Sequence, residues 1–293
     1  MNRYYSFFPG CSSSHGGSKA YGQSIQAIAK PLDIDLIELE EWNCCGSTPY
    51  TSVNELASYS CSARNLALAE KRGLDLITPC SSCYVILNRT NLDLKEYPSL
   101  KHKVAEALAA GNLTYNGSIR VRHLLDVITT DIGFDEISAK VTNNLQGLKV
   151  APYYGCQIVR PRLGYDNPEY PQTMDNLVNS LGAVATPFPL KSRCCGGSLI
   201  IPEEKITLDL IFNILQDAVN NGAECIVTVC PLCQTNLDVY QNRVNKKYKS
   251  KFKLPILFFT QLIGLAFGID ARTLGINQCI ISAEKVITAY AGK

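Results

Sequence analysis

"NCCGST", Asn43 to Thr48, sets two cysteines side by side against a glycine, and "RCCGGS", Arg193 to Ser198, does so again 150 residues later. The cysteines around each pair repeat in one order. Cys11, Cys44, Cys45, Cys80 and Cys83 in the first half match Cys156, Cys194, Cys195, Cys230 and Cys233 in the second. Both halves read C…CC…CxxC; the vicinal pair and the CxxC are displaced equally, and only the first gap differs, by five residues. The flanks repeat as well. "FFPGC" (7–11) resembles "PYYGC" (152–156), and "LITPCSSC" (76–83) resembles "IVTVCPLC" (226–233). An internal repeat of this length implies two tandem units. Their boundary is expected between Gly133 and Gly147, giving domains 1–140 and 141–293.

Working outward from the cysteines, each unit alternates strand and helix. "RYYSFF" is strand-like and leads into Cys11. The stretch 18–30 has helical spacing at Tyr21, Ile25, Ile28 and Ala29 and is stopped by Pro31. "DIDLIEL" returns as a strand. "SVNE" (52–55) fits a capping box opening a long helix that ends at Gly73, and the apolar "LDLIT" delivers Cys80. The second unit runs in the same order: "LKVAPYY", a helix near 171–181, "AVATPF", a helix near 205–221, and "CIVTV". Such βαβ alternation predicts an α/β fold of two tandem homologous domains related by pseudo-symmetry, each a small, mainly parallel sheet flanked by helices. Ligands of parallel sheets gather beyond the carboxyl ends of the strands, where Cys11, Cys80, Cys156 and Cys230 fall. The cysteines are therefore expected to converge.

Composition narrows the chemistry. A chain of 293 residues with 46% hydrophobic content suits two globular cores. Its 28 basic and 26 acidic residues leave a formal charge of +2, with no electrostatic footprint for nucleic acid. "MNRYYSFFPG" shows no secretory pattern, so a cytoplasmic chain is expected. In that compartment thirteen cysteines point to metal binding or redox chemistry more than to disulfides. A structural zinc would take four thiols of each five and leave one over. A thioredoxin-like CxxC would leave the lone cysteine and the vicinal pair unexplained. An iron–sulfur cluster explains more, because adjacent thiolates that would crowd one metal can ligate different irons. Gly46 and Gly196-Gly197 would let the backbone bend close to such a cluster, and Pro9, Pro79 and Pro231 would limit competing turns.

Other residues have quieter readings. Cys61, Cys225 and Cys279 lie outside both motifs and read as small core residues. His15, close to Cys11, is a candidate catalytic proton donor to a leaving thiolate. His102 and His123 read as structural or exposed. Trp42 precedes the first vicinal pair and is placed as a shield against water. "SHGGSK" lacks the order of a phosphate loop, and no flavin or nicotinamide fingerprint occurs. "NKKYKSKFK" (245–253) reads as a solvated face able to dock an acidic electron carrier. "LPILFFTQLIGLAFGI" (254–269) is 16 residues broken by Pro255 and Thr260-Gln261, too short to span a bilayer that needs about 20 apolar residues. It reads as a last strand followed by a short helix capped by Thr260, and membrane association is not expected.

The double motif, together with "ITPCSSCY", "VRHLLDV", "VCPLC" and "FTQLIGLAFGI", resembles the B subunit family of heterodisulfide reductases, and the likeness spans nearly the whole chain. That resemblance implies two non-cubane [4Fe–4S] clusters, one held by Cys11, Cys44, Cys45, Cys80 and Cys83, the other by Cys156, Cys194, Cys195, Cys230 and Cys233. It implies an oxidoreductase subunit that reduces or forms a disulfide. It also implies partners: an iron–sulfur subunit of the C type, a flavin-containing subunit of the A type, and a small disulfide or thiol substrate. An alternative keeps all ten ligands and makes the chain the electron-relay subunit of a membrane-associated dehydrogenase, such as a succinate:quinone oxidoreductase.

Overall fold

The computed structural model describes residues 3–14, 17–47, 49–160 and 164–291. Its first half runs β1 (Arg3–Phe7), α1 (Gly10–Ser14), α2 (Lys19–Ala29), β2 (Ile34–Glu38), α3 (Pro49–Val53), α4 (Glu55–Arg72), β3 (Leu76–Thr78), α5 (Ser81–Glu96), α6 (Pro98–Ala109) and β4 (Val121–His123). Short helices α7 (Leu124–Val127) and α8 (Phe134–Ala139) follow. The second half runs β5 (Lys149–Tyr153), α9 (Thr173–Ser180), β6 (Val184–Ala185), α10 (Glu204–Asn220), β7 (Cys225–Thr228), α11 (Pro231–Val239), α12 (Gln241–Tyr248), β8 (Ile256–Phe258) and α13 (Phe259–Ala266).

Each half builds a four-stranded sheet of the same order, β2-β1-β3-β4 and β6-β5-β7-β8. Every pairing is parallel, as in Ser6 opposite Leu76 and Val150 opposite Cys225. The central strands are covered on both faces by helices, so Leu76, Ile77, Ile226 and Val227 are fully buried and apolar without alternation. "AVATPF" yields only a two-residue edge strand. The Ala185 N–H turns to the Asn179 side chain at 3.0 Å, and Pro187 has no N–H to extend the ladder.

Two expected caps are corrected. The long helix α4 starts two residues later than "SVNE" suggests, because Asn54 Oδ1 accepts the Ala57 N–H at 3.0 Å while Ser52 belongs to the short helix before it. Its end at Gly73 is as expected: the residue is left-handed, φ +67°, and its N–H closes on the Glu70 carbonyl. Thr260 does not cap α13. It lies inside the helix, and the cap interaction comes from Gln261 Oε1, which accepts the Phe258 N–H at 2.9 Å.

The stretch 254–269 is strand β8 and helix α13, and what covers it is the other half of the chain. Helix α13 packs along α2. Ser24 and Thr260 hydroxyls meet there at 2.6 Å, and the Tyr21 ring stacks on Phe258 at 3.9 Å and 3°. Residues of both halves thereby join one continuous apolar cluster, from Phe7 and Ile25 to Phe259 and Leu262. Among the described residues no helix is long and apolar enough to cross a membrane.

Candidate functional site

The two cysteine sets gather at the carboxyl ends of the two sheets. β1 delivers Cys11 into α1; β3 delivers Cys80 as the residue before α5, with Cys83 in that helix's first turn. In the second half β7 delivers Cys230 and Cys233 to the start of α11 in the same way. A helix N-terminus favours negative charge, while burial and neighbouring thiols oppose it, and of the four CxxC cysteines only Cys230 is held below its ordinary value.

The vicinal pairs ride on the loops between β2 and α3 and between β6 and α10. Each loop turns back at a left-handed glycine, Gly46 at φ +78° and Gly196 at φ +76°. Side chains of the following helices hold the loop carbonyls. Ser62 Oγ donates to the Cys45 carbonyl at 2.6 Å and Ser58 Oγ to that of Gly46 at 2.9 Å. In the second half Thr207 Oγ1 donates to the Gly196 carbonyl at 3.2 Å and Asn236 Nδ2 to that of Cys195 at 2.6 Å. A Cβ at Gly196 would stand 3.1 Å from Thr207 Oγ1 and 3.2 Å from its Cα. Gly196→Ala is therefore expected to cost about 1–3 kcal/mol through the strained φ alone. Urea unfolding of both proteins checks this, and an unchanged midpoint would refute it.

Among the described residues no three His, Cys, Asp or Glu side chains close around one ion. The thiols meet side by side, and Cys45, Cys80, Cys230 and Cys233 each have two thiol neighbours. Cys195 and Cys233 sulfurs lie 3.6 Å apart, and the Gly196 N–H donates to Cys194 Sγ at 3.3 Å. Within these pairs one sulfur ionises at the other's expense. Hydrogen bonding from Cys156, helped by the Gly196 N–H and the Arg160 charge, lowers the Cys194 thiol to about 6. Cys156 is correspondingly pushed up. In the first half the hydrogen bond within the vicinal pair holds Cys45 well down and pushes Cys44 up. Across the junction Cys80 and Cys230 face each other closely enough that their ionisation is linked. Hydrogen bonding to Cys230 pushes Cys80 up, while Cys233 and Cys80 hold Cys230 down. Two glycines make room beneath: a Cβ on Gly10 would meet Cys83 Sγ at 3.2 Å, and one on Gly155 would meet Cys233 Sγ at 3.0 Å. The two cradles, each floored by a glycine, offer soft sulfur donors of the kind that suits iron–sulfur ligation.

His15 lies outside the described residues. Trp42 packs edge-on against Phe8 at 5.4 Å and its Nε1–H donates to Glu38. Cys225 is buried in β7 and Cys279 half-buried in the tail. Both thiols are raised to about 12, chiefly by burial, so they stay protonated. Cys61 lies in α4 and is half-buried. His102 is exposed beside Glu106.

Two groups at the junction escape a reading of the sequence alone. The Tyr21 hydroxyl, fully buried, donates to the carbonyls of both Pro79 (3.0 Å) and Val229 (3.3 Å), the residues immediately before Cys80 and Cys230. His123, the last residue of β4, is also fully buried; its Nδ1 accepts the Leu125 N–H at 3.1 Å. Its Nε2 points at the same two carbonyls without a well-formed hydrogen bond to either. Burial lowers it to about 4, so the ring is neutral. The signal available for His123 is its position at the carboxyl end of a strand in a parallel sheet.

With this geometry in hand, the CCG cysteine-rich domain family matches residues 5–88 and again 150–238. The chain is 39% identical over 288 residues to the 8-methylmenaquinol:fumarate reductase membrane anchor subunit of Wolinella succinogenes, covering 98% of this chain and 100% of that one. It is 31% identical over 252 residues to the B subunit of the ferredoxin/F(420)H(2)-dependent CoB-CoM heterodisulfide reductase of Methanosarcina acetivorans, covering 84% of each. A crystal structure of a hypothetical protein from Helicobacter pylori shares the fold. Its TM-score is 0.76 at 17% identity, over 97% of this chain but only 53% of that one.

Proposed function

The chain belongs to the CCG cysteine-rich domain family, and on that premise we propose that it is the electron-relay subunit of a quinone-linked oxidoreductase complex, with one [4Fe–4S] cluster in each repeat. Cys11, Cys44, Cys45, Cys80 and Cys83 would hold the first, and Cys156, Cys194, Cys195, Cys230 and Cys233 the second. When bound, such a cluster accepts and donates single electrons. The protein's part is to present the two CxxC pairs, buried, at helix N-termini and to bring the vicinal pairs up to them on clamped loops. The observation that carries the reading is the meeting of two complete sets at Cys80 and Cys230, tied by Tyr21 to a common hydroxyl. A continuous path from one repeat to the other suits a relay.

The quinone-linked assignment is supported by end-to-end similarity to a fumarate reductase subunit at 39% identity. A second reading is favoured by the completeness of both sets and by the 31% identity to a heterodisulfide reductase B-type chain. It is the reduction or formation of a disulfide, in which each set would provide for one departing sulfur, with C-type and A-type subunits as partners. Both readings make the isolated chain incomplete, since neither supplies a hydride acceptor.

Affinity purification of the chain from its native cells, followed by two assays, separates them. Co-purification of a flavoprotein that couples quinol oxidation to fumarate reduction is the expected result. A preparation inert with quinols but reducing a low-molecular-weight disulfide from a low-potential donor would replace the first reading by the second.

A further inference from the structure

Beside the second vicinal pair lies an open cavity of about 930 Å³, at the upper end of the ~300–1,000 Å³ range of ligand pockets. Its wall is apolar where Leu190, Leu210 and Ile214 contribute, and its mouth carries Arg160, Arg193 and the exposed Cys194. Arg160 is set in place by its Nε–H, which donates to the Cys156 carbonyl at 3.2 Å. The Arg193 backbone is pinned by the Tyr153 hydroxyl, which donates to its carbonyl at 2.6 Å. The Arg193 guanidinium has no hydrogen bond or ion pair among the described residues. One acid, Glu169, shares the rim.

The pseudo-symmetric position in the first half is a natural control. A cavity of about 520 Å³ lies there, lined by Asn43 and Arg64 at places corresponding to Arg193 and Ile214. Its one arginine is already consumed: Arg64 donates to Asn43 Oδ1 at 3.0 Å and pairs with Glu41 at 3.8 Å. Duplication thus produced two cavities, and only the second has arginine left for an outside partner.

We propose that this second cavity is a binding site for an organic anion with an apolar stem, its carboxylate or phosphate headgroup held by Arg193 and Arg160 beside Cys194 and its stem lying against Leu190, Leu210 and Ile214. An arginine fork matches planar or tetrahedral anions with paired N–H donors. The apolar wall adds affinity in proportion to the stem buried. The site stands whichever electron acceptor the complex uses.

Titration calorimetry on the iron-loaded chain tests it with three probes of equal stem: decanoate, decyl phosphate and decanol. One anion or both should bind at one site per chain, which identifies the headgroup, and decanol should bind at least about tenfold more weakly. Arg193→Gln should weaken anion binding by about tenfold, and Leu210→Trp, which fills the cavity, should abolish it. Arg64→Gln, in the control cavity, should leave it unchanged. Wild-type iron content shows that each variant has folded. Decanol binding as tightly as decanoate, affinity unchanged in both Arg193→Gln and Leu210→Trp, or an equal loss in Arg64→Gln would each overturn the assignment.

Discussion

Cys195→Ser is expected to remove about half of the iron from the anaerobically purified chain, and Cys45→Ser the other half. Each of these sulfurs is buried in a loop whose carbonyls are clamped, Cys195 by Asn236 and Cys45 by Ser62. The backbone cannot swing a neighbouring thiol into the vacated place, and a serine oxygen is a hard donor poorly suited to cluster iron. Visible absorption should fall in step. Cys225→Ser is the control: its sulfur is equally buried but lies within β7, away from both cradles, so iron content should hold while stability falls. Wild-type protein with four or fewer irons per chain would sink the two-cluster assignment. Loss of all iron in either single variant would show instead that the two repeats load as one unit.

Much of this is legible because duplication wrote the pattern twice. The equal displacement of "CC" and "CxxC" reveals the repeat, the strand-like runs before Cys80 and Cys230 point to parallel sheets, and the strand ends locate the thiols. What stays hidden is the way the halves interlock. Tyr21 falls on the apolar side of a helical pattern, and periodicity says only that it is buried, not that it lies on Phe258 of the other repeat. The two carbonyls its hydroxyl bonds are 150 residues apart in the chain, and local propensity carries no information about such a pairing. His123 is hidden for a related reason: its neighbour Leu125 occupies only Nδ1, whereas in the fold Nε2 faces the backbone before both CxxC motifs. The cap at Asn54 is hidden for a local reason. Ser52 and Asn54 are both good caps, and the extra turn Pro49–Val53 decides between them.

Tyr21 is where that hidden interlock can be broken. The ring is fully buried and stacked on Phe258, with Phe259 edge-on at 6.2 Å, so Tyr21→Ala should cost about 3–5 kcal/mol, as for other large aromatic truncations in cores. Tyr21→Phe keeps the ring but strips two buried carbonyls of their shared donor, at about 1–3 kcal/mol. The two losses differ in kind. The alanine variant opens space between α2 and β8 and should uncouple the halves, turning one cooperative unfolding transition into two. The phenylalanine variant should unfold in a single, earlier transition. Because Pro79 and Val229 directly precede Cys80 and Cys230, either change also frees the two loops that bring the cysteine sets together, and anaerobic iron reconstitution should slow in both. Tyr4→Ala, at a tyrosine 54% exposed, should shift the midpoint by no more than about 0.5 kcal/mol. If Tyr21→Ala unfolds in urea within about 1 kcal/mol of wild type, roughly the cost of a surface change, the junction is not held by this stack. The coupling of the two cysteine sets through one hydroxyl would then have to be given up.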